Sequence, residues 1–103
     1  MNTAVIDNLL PAAQCAQGLI ACGASVAEIR IKGRARPAVM LDRPPYGQRL
    51  YPVIVTGTLA ADAIPPARLS PTETRYAWGV DARGHWERHC ALVDGVQVIW
   101  EQR

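Results

Sequence analysis

The chain has 103 residues, half of them apolar and 19% charged, with eleven cations against nine anions for a net charge of +2. That is the size of one domain around a single core. It is too apolar for a disordered chain and too nearly neutral for charge alone to imply nucleic acid. Three cysteines cannot all pair within one chain, no apolar run approaches the ~18 residues of a membrane span, and no basic segment leads into an apolar stretch with a cleavage site. These features predict a cytoplasmic protein with reduced thiols and no membrane partner. Ten of the eleven cations are Arg, and Lys32 is the single Lys. Arg favours bidentate contacts and interfaces, although an Ala-, Arg-, Gly- and Pro-rich composition is also what a GC-rich genome produces.

From Met1 to Gly23 the only charge is Asp7. Asp7 or Asn8 caps a predicted helix with Pro11 in its first turn, and Gly23 suits the position just past its end. Leu9, Ala12, Ala16, Leu19, Ile20 and Gly23 share one face at helical spacing, while Gln14 and Gln17 lie opposite. A helix this neutral either packs on one side and is thinly solvated on the other, or is shared with a second subunit. The chain is therefore read as a monomer or a homodimer. Cys15 and Cys22 sit two turns apart, about 10 Å, too far for a disulfide, and are read as small packing residues.

Ser25 to Leu41 reads as a first hairpin. Val26, Glu28, Arg30 and Lys32 alternate with Ala27, Ile29 and Ile31, Lys32-Gly33 turns the chain, and Pro37–Leu41 returns. Asp42 to Gln48 is a loop by its Pro and Gly content. Tyr51–Thr56 is predicted as one more strand, confined by Pro52 to an edge or a strand start. Gly57 to Pro71, with prolines at 65, 66 and 71, holds no predicted element.

The last third is the most informative. Asp94-Gly95 between Leu92-Val93 and Val96-Gln97-Val98 is the dipeptide a two-residue type I′ hairpin requires, since both central residues take positive φ. Asp81-Ala82-Arg83-Gly84 is a second turn, with Gly84 in the left-handed position. These turns predict an antiparallel meander of Thr74–Val80, His85–Val93 and Val96–Glu101, carrying all three Trp residues. The expected fold is α+β: one N-terminal helix packed on an antiparallel sheet of five to six strands ending in a β-meander, in a single domain of residues 1–103.

The Asp94-Gly95 turn also fixes which residues face each other. Val93, Ala91 and His89 oppose Val96, Val98 and Trp100 and form the more continuous apolar face, assigned to the core. Leu92, Cys90, Arg88 and Trp86 lie on the other face with Gln97, Ile99 and Glu101, and Arg88 opposes Glu101. The sequence leaves open which face Tyr76 and Trp78 join. His85 and His89 stand about 13 Å apart along a strand, too far to share a zinc ion with Zn–N bonds near 2 Å. His89 and Cys90 point to opposite faces and cannot act as a nucleophile–base pair. His89 is instead expected to be half-buried beside Trp100. With no Cys-x-x-Cys, phosphate loop, Gly-x-Ser-x-Gly or His-Glu-x-x-His, the chain is expected to be no enzyme and to carry no cofactor and no metal.

The pattern with functional potential is Arg30, Lys32, Arg34 and Arg36, cations at every second position, followed by Arg43 and Arg49. On a strand and its turn they form a ridge. Such a ridge engages acidic protein surface, neutralises phosphates, or simply guards a solvated sheet edge against aggregation. Trp86 and Tyr46 are candidate stacking platforms. The expected contact residues are Arg30, Lys32, Arg34, Arg36, Trp86 and Arg88, with Arg supplying bidentate pairs and Trp an anchor.

About a hundred Arg-rich residues, a helix plus a short meander and no catalytic motif resemble, in overall style, the small single-domain proteins encoded by phages and prophages of high-GC proteobacteria. These include inhibitors of host defence such as anti-CRISPR proteins. The resemblance implies a protein-binding module that inhibits or modulates a larger protein or ribonucleoprotein complex such as a CRISPR effector. The alternative is a single-stranded nucleic-acid-binding protein that uses the 30–36 ridge.

Overall fold

The structure is a computed structural model that describes residues 4–32, 35–47, 49–60 and 74–103. Its elements in chain order are α1 (Ala4–Ala21), β1 (Val26–Arg30), β2 (Ala38–Leu41), α2 (Tyr51–Thr56), β3 (Thr74–Asp81), β4 (Gly84–Val93) and β5 (Val96–Gln102). The prolines at 65, 66 and 71, Gly33 of the expected Lys32-Gly33 turn and Arg34 of the expected basic ridge lie outside the described residues.

Helix α1 starts earlier than expected, so Pro11 lies inside it rather than in the first turn and deletes one backbone hydrogen bond. Its end follows the expectation. Gly23 takes φ 103°, its N–H donates to Ile20 O at 2.9 Å, and the Ala24 N–H donates to Leu19 O at 2.9 Å. These two bonds satisfy carbonyls that the last turn would otherwise leave without partners. The buried residues of the helix are Ala12, Cys15, Ala16 and Leu19, whereas Leu9 and Ile20, expected on the same face, are exposed.

Tyr51–Thr56 is a helix, α2, and not the expected strand. Pro52 sits in its first turn, where a missing N–H costs nothing, and Gly57 closes it at φ 75° with its N–H on Val53 O. That is the usual asymmetry of helix ends. Val53, Ile54 and Val55 are all buried, so the run shows no amphipathic period, and its β-branched composition suits a strand equally well.

The sheet has five strands in the order β1-β2-β5-β4-β3. β1 with β2, β5 with β4 and β4 with β3 pair antiparallel, while β2 runs parallel to β5. The sheet is thus mixed, where an antiparallel one was expected: the first hairpin docks through β2 onto β5, the last strand of the meander, which becomes the central strand of the sheet. The meander itself has the expected register, with Val93 opposite Val96, Ala91 opposite Val98 and His89 opposite Trp100. Asp94 and Gly95 take φ 49° and 79° as a type I′ turn demands.

Both helices pack on one face of the sheet. Cys15, Ala16 and Leu19 of α1, Val53 and Ile54 of α2, Val39 and Leu41 of β2, and Ala91, Val93, Val96, Val98 and Trp100 of the meander make one apolar core. This is the two-layer α+β arrangement that buries one sheet face. Among the described residues no helix is long and apolar enough to cross a membrane.

Candidate functional site: the open face of the sheet

Side chains that alternate with the core residues project from the opposite face of the sheet. Along one row the pairing aligns Glu28 with Met40, Met40 with Ile99, Ile99 with Cys90, and Cys90 with Thr74. A second row sets Arg88 against Glu101 and Ala77. Residues of all five strands, among them Glu28, Arg30, Met40, Ile99, Arg88 and Tyr76, line one depression of about 310 Å³ on this face. The open face is therefore a trough with an apolar floor of Met40 and Ile99 and charged or aromatic walls.

Tyr76 reaches this trough through a bulge. The β3–β4 register runs Thr74–Cys90, Arg75–His89 and then Ala77–Arg88, so Tyr76 is the extra residue. Arg75 and Trp78 stay on the helix side, opposite His89 and Glu87, and Tyr76 and Ala77 turn to the open side. Across the trough the guanidinium of Arg30 donates through Nε to Glu28 Oε1 at 3.0 Å. That hydrogen bond, with the charge of Glu28, raises the Arg30 pKa above its ordinary value, and Tyr76 adds a smaller contribution in the same direction.

Arg88 forms the other wall, and Trp86 stands beside it on the same face of β4. The Arg88 guanidinium lies 5.3 Å from the centre of the Trp86 ring, a cation–π contact worth about 0.5–1 kcal/mol at an exposed site. Gly79 opposes Trp86 across β3–β4. A Cβ on Gly79 would stand 2.7 Å from Trp86 Cζ2, so the missing side chain is what lets the indole lie across β3. Glu101, cross-strand from Arg88, is engaged by Arg103 Nη2 at 3.2 Å. Arg103 also grips both oxygens of Asp81 at 3.1 and 3.0 Å and so ties the end of the chain to the β3–β4 hairpin.

The expected basic ridge is divided. Of its described members, only Arg30 belongs to β1 and to the trough. Lys32 is exposed in the loop beyond the strand, and Arg36 donates through Nη1 to Gly95 O at 3.3 Å, against the type I′ turn. Arg34 lies outside the described residues. The structure thus joins Arg30, Arg88 and Trp86 on one face and sets Lys32 and Arg36 apart from them. Tyr76, Met40 and Ile99 were not among the expected contacts. Ile99 was legible from the β5 alternation, whereas Tyr76 depends on a bulge that no Gly or Pro marks.

On the helix side of β4, His85, Glu87 and His89 follow one another at every second position. Glu87 Oε1 accepts from Arg75 Nη1 at 2.9 Å, and Glu87 Oε2 stands 3.8 Å from His85 Nε2 and 3.9 Å from His89 Nε2. The Arg75 hydrogen bond holds the Glu87 carboxyl below its ordinary value. His89 stacks on Trp100 with ring centres 5.7 Å apart and planes 13° from parallel, the half-buried placement expected for it. Among the described residues no three His, Cys, Asp or Glu side chains are gathered where they could hold a metal ion. Cys15, Cys22 and Cys90 are free thiols, and burial, with the charge of Asp94 behind it, pushes the Cys15 pKa up to about 11.

No protein-family model matches the chain, and neither a curated protein nor a solved structure does.

Proposed function

We propose that the chain is a non-enzymatic protein-binding module that uses the open face of its sheet to seize a larger partner. The kind of partner meant is a host complex of the sort that small proteins of mobile genetic elements block. The observation that carries this reading is the Trp86–Arg88 stack beside a five-strand trough lined by Tyr76, Met40 and Ile99. Tyr, Trp, Met and Arg are the residue types enriched where protein interfaces concentrate their binding energy, and here they are held on a rigid sheet by its own strand pairing. A single-stranded nucleic acid is the competing occupant, with Tyr76 and Trp86 as stacking platforms. Against it, Arg30 is ion-paired with Glu28 and Arg88 lies across from Glu101, so carboxylates stand beside the guanidiniums where phosphates would have to approach.

The test is capture from a proteobacterial lysate by the tagged chain, with and without nuclease, read by quantitative mass spectrometry. The native chain should retain a stoichiometric protein that resists nuclease. Arg88→Glu should lower its recovery at least about tenfold, equivalent to roughly 1.4 kcal/mol, while Arg49→Glu, outside the trough, leaves it unchanged. Recovery that survives Arg88→Glu and Tyr76→Ala together moves the contact off this face. Recovery abolished by nuclease replaces the protein partner with nucleic acid.

A further inference from the structure

Helix α1 carries two apolar stripes, and the core uses one. Ala12, Cys15, Ala16 and Leu19 point inward. At 100° per residue, Ile6, Leu9, Leu10, Ala13, Gln17 and Ile20 fall within an arc of about 100° on the outer side. Ile6, Leu9, Leu10 and Ile20 are 53 to 63% exposed, and the helix has a single charge, Asp7, which lies outside that arc. An amphipathic surface helix would place charged residues there. Isolated exposed apolar residues are ordinary, but a contiguous uncharged stripe along a helix marks a contact surface.

We propose that this stripe is the interface of a homodimer in which α1 packs antiparallel on α1 of a second copy. The stripe is self-complementary about its middle. Its smallest residue, Ala13, lies near the midpoint of the helix and permits close approach of two backbones, with the larger apolar side chains towards both ends. A twofold axis at Ala13 sets Ile6 of one copy against Ile20 of the other and repeats the contact at the far end, which is the isologous arrangement that closes at two subunits. The area suffices for a weak dimer. The four large side chains present roughly 400 Å² per copy. With the flanking Gln14 and Gln17, the two copies together reach on the order of 1,000 Å², the lower bound of a specific interface. The surface lies across the molecule from the trough, so a dimer would display two open faces outward and capture two partner sites.

Sedimentation equilibrium of the full chain from micromolar to millimolar concentration tests the proposal. The native chain should pass from monomer to dimer. Ile6→Lys and Ile20→Glu, each at an exposed position, should fold with unchanged circular dichroism and weaken dimerisation about a hundredfold. Mixing the two variants should restore it, because the antiparallel arrangement sets Lys at position 6 against Glu at position 20 in the mixed dimer and leaves Ile against Ile at the other end. A native chain that stays monomeric throughout overturns the proposal. So does a dimer unaffected by either substitution, and so does a mixture no tighter than its components.

Discussion

Ala91 and Arg88 lie three residues apart on β4 and meet opposite fates. Ala91, with Val93, Val98 and Trp100, is closed in by both helices, and each side chain there is fixed by neighbours on every side. Arg88, with Trp86, Ile99 and Glu101, stands on the face the helices leave uncovered, where the order comes from pairwise contacts within the sheet: a guanidinium on an indole, an indole over a glycine. Packing sets the first face and local chemistry the second. The first should therefore respond to substitution by losing stability, and the second by losing a partner.

The largest expected effect separates the two faces through their tryptophans. Trp100 is 1% exposed at the centre of the core, and Trp100→Ala should cost about 3–5 kcal/mol, a large part of the 5–15 kcal/mol that holds a domain of this size. Trp86→Ala forfeits a half-buried ring and its contact with Arg88, about 1 kcal/mol. Urea titrations of the two variants give the comparison directly. The expected ordering is a severe loss for Trp100→Ala with a small loss for Trp86→Ala, and the reverse ordering for captured partner per folded molecule. Equal losses of stability would mean that the open face is structural and not an interaction surface.

The meander was legible because one dipeptide decides it. Asp94-Gly95 fixes the register of β4 on β5, and the register assigns every side chain of both strands to a face. Gly23 likewise announces the end of α1. Features that depend on distant residues were not legible. Nothing local says that β2 should lie parallel to β5, and the Val-Ile-Val run of α2 is compatible with either secondary structure until Pro52 and Gly57 are weighed as helix ends. The alternation of Val26, Glu28, Arg30 and Lys32 suggests a strand that reaches the Lys32-Gly33 turn, but β1 stops at Arg30. Leu9 and Ile20 were placed in the core because helical periodicity detects an apolar stripe without saying which of two stripes meets the sheet.

A smaller effect sharpens the contrast by altering the open face without touching any functional side chain. In Gly79→Ala the new methyl would stand 2.7 Å from Trp86 Cζ2 and 2.9 Å from Cε2, so the indole must leave its place across β3 and its stack beneath Arg88. Because the ring is only half-buried it has somewhere to go, and the expected cost is about 1 kcal/mol, the low end for an overpacked site. Changed near-ultraviolet circular dichroism and partner recovery as poor as that of Trp86→Ala are the expected results. An unaltered tryptophan signal with full partner recovery would show that the position of the ring does not matter to binding.

The smallest effect is on pH dependence and belongs to the helix side of β4. The Arg75 hydrogen bond to Glu87, helped by Arg75's charge and by the neighbouring His89 and His85, holds this carboxyl below its ordinary value of 4.5. A group with a lower pKa when folded binds protons more readily in the unfolded chain, so its contribution is complete above 4.5 and is lost as pH falls through the folded value. Glu87→Gln removes that titration, and its unfolding midpoint should decline less steeply than the native one below about pH 4.5. Arg75→Ala should flatten the same limb by returning Glu87 towards its ordinary value. The site is near the surface and the ion pair is screened by salt, so the difference between native and variant curves should shrink as ionic strength rises. Parallel acid limbs for all three proteins at low salt would show that the Arg75–Glu87 pair does not hold in solution.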